Sequence, residues 1–367
     1  MPKDISPPPL KRRRLATTPP VPPPNTLRIF AWNINGIGPF LPETQKRITS
    51  FFPDPSSPEP RAQHSLRAFL RRHSHPHLLL LQEVKIAPSD THTQSLVRAS
   101  VSSPDPSEHY EAHFTLPSDA HNARGFGRKL YGVCTLIRAD FAREQRATTR
   151  TVSWDAEGRF RIVETAGLRG WPRLSVWNVY AVNGTGNDYR DPVTGKVVGT
   201  RHDRKLAVHK AMRDEVARLE GQGFAVVLAG DMNVARGLRD GFPALRTRPE
   251  QHMVNRRDFE GRFFGDGEGG LGMCDTFREG SGERRYTYFP RGVEWGASCD
   301  RVDYVICSKG LKGNVIEAGM LDSEVERGPS DHVPVFGTFD FGKPVDGDDG
   351  VDADHEDKER IEPVRRE

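Results

Sequence analysis

Carboxylates, carboxamides, one phenol and one imidazole recur in this sequence at the ends of apolar runs. They sit in Trp32-Asn33-Ile34-Asn35-Gly36, Leu81-Gln82-Glu83, Asn178-Val179-Tyr180-Ala181-Val182-Asn183, Gly230-Asp231-Met232-Asn233, Asp300-Arg301-Val302-Asp303-Tyr304 and Ser330-Asp331-His332. Oxygen donors of this kind hold magnesium, which keeps several waters and polarises a phosphate ester. The set therefore has the composition of a metal-assisted phosphoester hydrolase that needs no protein nucleophile.

Singly, each motif has a plain structural reading. Glu83 follows four leucines and is either a surface residue at a strand end or a metal ligand. Asn35-Gly36 is a common turn pair, and a strand tyrosine such as Tyr180 is usually a packing residue. Gly230-Asp231-Met232-Asn233 is sharper, because it ends the most apolar run and puts Asp231 and Asn233 on one face of an extended chain. Asp303 lies between Val302 and Tyr304. Buried there without a partner it would be costly, and His332 is the obvious partner. Pairing would keep that imidazole cationic at a higher pH than a free one. Taken together, six motifs sharing one chemistry outweigh their separate structural readings.

Such groups converge only where strands end together. Residues 27–32, 78–81, 132–137, 174–182, 224–229, 302–307 and 333–341 read as strands. The clearest helix runs from Arg204 to Gly221, with Leu206, His209, Met212, Val216 and Leu219 on one stripe and Gly221 as its stop. Strands and helices in this order imply an α/β sandwich. Segments 51–64, 99–125, 183–203 and 235–270 read as long loops, where substrate contacts often sit. One domain over residues 27–341 is expected between two tails that cannot bury a core: a Pro-rich arm, 1–26, and an Asp-rich segment, 342–367. Lys11-Arg12-Arg13-Arg14 in the arm reads as a nuclear import signal. A mitochondrial presequence is the competing reading, disfavoured by prolines that would break its helix.

The formal charge of +3 over 367 residues conceals an uneven distribution: about +4 in the arm, −5 in the tail and +4 between them. A mildly basic middle suits an anionic substrate. Four cysteines, Cys134, Cys274, Cys299 and Cys307, form no C-x-x-C pair, which argues against a disulfide framework or a zinc site. With no long apolar run and no apolar leader, an intracellular protein without a membrane span is expected.

The ordered set resembles the exonuclease III type of apurinic/apyrimidinic endonuclease, within the endonuclease/exonuclease/phosphatase superfamily that includes deoxyribonuclease I. The resemblance runs from about Leu27 to Phe341 and also takes in Lys85, Glu157-Gly158-Arg159 and Asp275-Thr276-Phe277-Arg278. It implies a four-layer α/β sandwich, two packed mixed sheets flanked by helices, with the site at one edge. It further implies that Asn35, Glu83 and Asp331 hold Mg²⁺, or Mn²⁺ in its place, with Asp231, Asn233 and His332 in ligand reach. Asp231 would activate water, Asn233 would position water or a phosphate oxygen, and Tyr180 would contact the scissile phosphate. His332, held by Asp303, would stabilise the developing charge. Asn33, Asn183, Arg278 and Tyr288 would contact DNA or support the site. The implied partner is double-stranded DNA with abasic or 3′-end lesions; the basic arm places the protein in the nucleus, or in the mitochondrion on its competing reading, and a monomer is expected.

One departure stands out. Many abasic endonucleases of this type carry an aromatic residue immediately before Arg-x-Asp-Tyr, where it walls the abasic sugar; here that residue is Asp300, with Tyr288 and Val302 left to line the pocket. Basic residues cluster near the motifs, at Arg124, Arg128, Lys129, Arg236, Arg239, Arg256, Arg257, Arg284 and Arg285, as phosphate tracking would require. Ser298-Cys299-Asp300-Arg301 faintly resembles inositol-polyphosphate 5-phosphatases, which makes such a phosphatase the rival reading. A DNA-binding protein without catalysis is a second rival, opposed by the intact acid set.

Overall fold

In the computed structural model, residues 25–42, 64–123 and 130–342 are described. The cationic run of the arm, the Asp-rich tail and the basic residues Arg124, Arg128 and Lys129 lie outside them. In chain order the elements are β1 Thr26–Asn33, α1 Leu66–Arg72, β2 Leu78–Gln82, α2 Thr91–Val101, β3 Tyr110–Thr115, β4 Val133–Arg138 and α3 Ala139–Gln145. Next come β5 Thr148–Arg150, β6 Phe160–Glu164, β7 Leu174–Tyr180, β8 Asp188–Arg190, β9 Val197–Thr200, α4 Arg201–Gly221 and β10 Ala225–Asp231. The last are β11 Gly241–Phe242, α5 Gln251–Phe263, β12 Cys274–Asp275, α6 Thr276–Gly280, β13 Cys299–Asp300, β14 Asp303–Cys307, β15 Val315–Met320, α7 Glu324–Arg327 and β16 Val335–Asp340.

Two six-stranded mixed sheets carry the fold, in the orders β15-β16-β1-β2-β4-β3 and β12-β14-β10-β7-β6-β5. Side chains alternate across a strand, and that alternation sorts the core into three clusters. Leu27, Ile29 and Ala31 of β1, with Leu78 and Leu80 of β2, meet Val176, Val227, Ala229 and Val305 between the sheets. The intervening Phe30, Trp32, Leu79 and Leu81 pack outward with Phe69 and Leu70 of α1 and Val97 of α2. On the other sheet, Trp177, Val179, Val226 and Leu228 pack outward with Val208, Met212 and Val216 of α4 and Phe259 and Phe263 of α5. Three interfaces make four layers, as the resemblance implies.

The structure holds more elements than the sequence reading, which names none of β3, β5, β6 and β15 as strands and no helix but α4, and it shifts element starts. The Thr200 hydroxyl and the Asp203 carboxylate form a capping box, so α4 begins at Arg201 rather than Arg204. Its buried stripe takes in Lys205 and Val208 and leaves Leu206 only half-buried. Three of the expected loops hold structure: β3 lies in 99–125, the β8–β9 hairpin in 183–203 and α5 in 235–270. Thr26, assigned to the arm, pairs with Asp340. No helix among the described residues is long and apolar enough to cross a membrane.

Candidate active site

Strand register brings the motifs to one edge. Asn33 pairs with Gln82 where the parallel strands β1 and β2 end. In the facing sheet Asp231 pairs with Tyr180 in parallel and with Asp303 antiparallel, so β7 and β10 end where β14 begins. Carboxyl ends of parallel strands are the usual place for a site in an α/β fold. Gly230 permits the close approach: at φ +134° a Cβ there would lie 2.1 Å from the Val179 carbonyl oxygen and 2.9 Å from Gln82 Nε2. The loop carrying His332 is pinned to the same edge, because Ser330 Oγ donates to the Asn33 carbonyl at 2.6 Å and Trp32 Nε1 to the His332 carbonyl at 2.9 Å.

Asp303 Oδ2 and His332 Nδ1 are 2.8 Å apart, and both residues are buried. Burial opposes the imidazolium, but Asp303, helped by Asp231 and Asp331, outweighs it and raises His332 to about 10. Asp231 goes the other way: burial and then the charge of Asp303 push its carboxyl up to about 7. Asn33 Nδ2 donates to Asp231 Oδ2 at 3.0 Å and the Asn233 backbone N–H to Oδ1 at 2.8 Å, which fixes the carboxylate in place. Glu83 receives the Tyr180 hydroxyl at 2.8 Å and Asn33 Nδ2 at 3.1 Å and pairs with Lys85 at 3.0 Å. Burial alone would raise Glu83, but Lys85 and those hydrogen bonds lower it. Tyr180 is raised well above a free phenol by burial and by Glu83, so it is a hydroxyl donor and not a phenolate.

Backbone conformation marks the same edge. Asn35, Glu83, Lys85 and Asn233 all adopt positive φ, between 51° and 55°, which costs a side-chain-bearing residue about 1 kcal/mol or more. Behind them, Arg159 is buried with its guanidinium 4.6 Å from the Tyr131 ring and 4.7 Å from the Tyr180 ring, and it pairs with buried Glu157 at 2.9 Å. That stack fixes the plane of Tyr180.

A cleft of about 300 Å³ opens over these groups and is lined by Glu83, Tyr180, Asn183, Asp231, Asn233, Tyr288, Asp331 and His332 among others. The Tyr288 ring lies 5.0 Å from that of His332. Of the expected site residues, two fall elsewhere. Asn35 is exposed, and its Oδ1 accepts from Lys85; Asn33, which shares its strand face with Ala31 and Ile29, is the amide between Glu83 and Asp231. Arg278 donates to Asp240 Oδ1 at 2.6 Å and to the Glu283 carbonyl at 2.5 Å, inside an ion-pair network away from the cleft lining. Several of the basic residues read as DNA contacts are also engaged in the fold: Arg236 pairs with Glu260 and Asp275, and Arg285 with Asp322. Arg256 does line the cleft, together with His252 of the same segment and with Lys205, Arg246 and Asn255, which no motif disclosed.

The residues fit a hard divalent cation. Glu83 and Asp331 bring carboxylates to the cleft beside Asp231; Asp231, Asp303 and His332 have ligand-type atoms within 4.8 Å of one another, and buried Asp303 Oδ1 has no hydrogen-bond partner. A protonated His332 does not ligate, which leaves an excess of carboxylate oxygen to be neutralised.

Residues 30–332 match the model of the Endonuclease/Exonuclease/phosphatase family. The chain belongs to that family. No curated protein sequence matches this family member. Among solved structures, the family fold recurs in an AP endonuclease from Leishmania major, 19% identical with a TM-score of 0.58, over 86% of this chain and 88% of that one. The catalytic domain of Xenopus laevis APE2 is 17% identical with a TM-score of 0.58, over 85% of this chain and 91% of that one. The 3′ phosphatase NExo from Neisseria, bound to a product DNA hairpin, is 20% identical with a TM-score of 0.51, over 86% of this chain and 99% of that one. At these identities the likeness establishes the fold.

Proposed function

We propose that this family member is a magnesium-dependent DNA phosphodiester hydrolase of the exonuclease III type, acting 5′ of abasic sites or at blocked 3′ ends as a monomer in the nucleus or the mitochondrion. The observation that carries the reading is the Asp231–Asp303–His332 cluster, a carboxylate raised to about 7 beside an imidazolium raised to about 10. Those are a base and a charge stabiliser poised around neutral pH. The AP endonuclease and 3′ phosphatase folds among its structural neighbours support DNA as the substrate.

Glu83 and Asp331 would hold the ion, Mg²⁺ or Mn²⁺, which when bound supplies neutralisation of the phosphate charge, while Asn33 Nδ2 steadies Glu83 and Asp231. Asp231 takes a proton from the attacking water. Asn33 and Asn233 hold that carboxylate, and His332 donates to a phosphate oxygen as negative charge grows on it. Tyr180 supplies a neutral hydroxyl beside Glu83, and Asn183 and Tyr288 flank the strand.

Incision of duplexes carrying one abasic analogue, of undamaged duplexes and of recessed 3′ ends, each with Mg²⁺, tests the reading. Cutting of damaged duplex above undamaged is expected. Equal cutting would remove the preference for damage, and phosphate release from inositol polyphosphates without DNA cutting would overturn the proposal.

A further inference from the structure

Beside the acidic strand ends, the cleft has a second lining of opposite character: Lys205 on α4, Arg246, and His252, Asn255 and Arg256 on α5, with Asp300 among them. This lining is built rather than incidental. Lys205 is 2% exposed and anchored by one hydrogen bond, from Nζ to the Asn233 carbonyl at 2.7 Å. Arg256 is held by the Ala235 and Arg246 carbonyls at 2.6 and 2.9 Å. Asn255 is 3% exposed; its Nδ2 lies 2.7 Å from His202 Nδ1, while its Oδ1 has no hydrogen-bond partner. Turned over, that amide would accept from the His202 N–H and present Nδ2 as a donor.

Cations gathered around a single carboxylate are costly to one another. Burial and then Arg246, His202, Lys205 and Arg256 lower His252 to about 4. Asp300, the carboxylate among them, is raised by burial in spite of Arg246 and Arg256. His252 is then neutral and burial lowers Lys205 to about 7, so the fixed charge is that of Arg246 and Arg256, which Asp300 alone does not balance. A bare abasic sugar is neutral and would leave that charge unanswered.

We infer that this lining is a subsite for a negatively charged group on the moiety 3′ of the scissile phosphate. The inference rests on the nuclease reading above. In the reaction one water adds to phosphorus, the bond from phosphorus to the upstream 3′ oxygen breaks, and that oxygen takes a proton. The downstream moiety departs with the phosphate, and its own charge faces Arg246 and Arg256. That charge has two sources: the carboxylate of a glycolic-acid phosphodiester at a 3′ end, or the next phosphodiester beyond an internal abasic site.

Paired substrates separate the sources and test the subsite. One pair is an oligonucleotide with a 3′ glycolic-acid phosphodiester against the ethyl phosphodiester; the other is an internal abasic analogue followed by phosphodiester against methylphosphonate. In at least one pair the charged member is expected to have a kcat/KM at least ten-fold higher, and Arg246→Glu is expected to cut that ratio at least five-fold. His252→Gln, which leaves the exposed arginine intact, is expected to cut it by a smaller factor. Ratios near one in both pairs, or ratios unchanged in both variants, overturn the subsite while leaving the nuclease. Absence of cutting on every oligonucleotide overturns the nuclease and the subsite together.

Discussion

Two buried acid–base clusters lie close in this fold, and their accounts balance differently. In one, Arg301, Arg236 and Arg278 answer Asp240 and Asp275, and Asp275 stays ionised because Arg301 and Arg236 overcome its burial. In the other, one imidazolium answers two carboxylates: Asp231 is raised and Asp303 Oδ1 has no hydrogen-bond partner. The Asp300-Arg301-Val302-Asp303-Tyr304 motif gives a residue to each, Arg301 to the first and Asp303 to the second. The first cluster is balanced within the chain; the second is not, and on the function proposed above a cation and a substrate would complete it. An uncompensated charge, rather than a charge as such, marks the working site.

The contrast can be broken by removing one member from each cluster. Asp231→Asn should reduce DNA cleavage by at least about 10³-fold, beyond what one charge-stabilising donor supplies, and should leave the melting temperature unchanged or raised, since it removes repulsion with Asp303. Arg301→Met should do the reverse. It removes the buried guanidinium that Asp240 and Asp275 share, leaving them Arg278 and Arg236 alone, and should cost about 3 kcal/mol of stability, measurable by denaturant unfolding, with kcat of the folded fraction largely kept. If Asp231→Asn unfolds the protein, or if Arg301→Met abolishes kcat without loss of stability, the division between the two clusters fails.

A smaller effect sharpens it. Activity should rise with pH as Asp231 loses its proton near 7, a limb that a bound cation moves to lower pH, and fall as His332 loses its proton near 10. Asp303→Asn should bring the upper limb down toward about 6.5, the value of a free imidazole, and reduce the rate by about 10²-fold. The linkage to stability has the same sign. Because folding raises His332, its contribution is fully present below about 6.5 and is lost as pH rises through about 10. An upper limb that does not move in Asp303→Asn would remove the pair from the chemistry.

Much of this was readable in the sequence because the chemistry sits where apolar runs stop. Glu83 after four leucines, Asp231 after Val226–Gly230 and His332 before Val333 announce themselves as polar groups at strand ends, and the alternation of β1 and β2 gives the layers. Which asparagine faces inward was not readable from composition. Asn33 and Asn35 both follow the apolar run, and only the end of β1 and the turn at positive φ after it decide that Asn33 meets Glu83 while Asn35 meets Lys85. The cationic lining was hidden for another reason. Lys205 replaces an apolar residue on the buried stripe of α4, and α5, whose Asn255, Phe259 and Phe263 recur every four residues, is masked by its many polar neighbours. Their meeting in one cleft depends on contacts between elements distant in the chain, which no local pattern records.

Residue 230 gives the site a hard stop. With the backbone of the neighbouring strand β7 and the Gln82 amide of the facing sheet occupying the space where a Cβ would go, even one methyl group must push β10 away from β7. The position of Asp231 is therefore gauged by direct backbone contact between two paired strands, and a side chain at residue 230 could shift it only by spreading that pair.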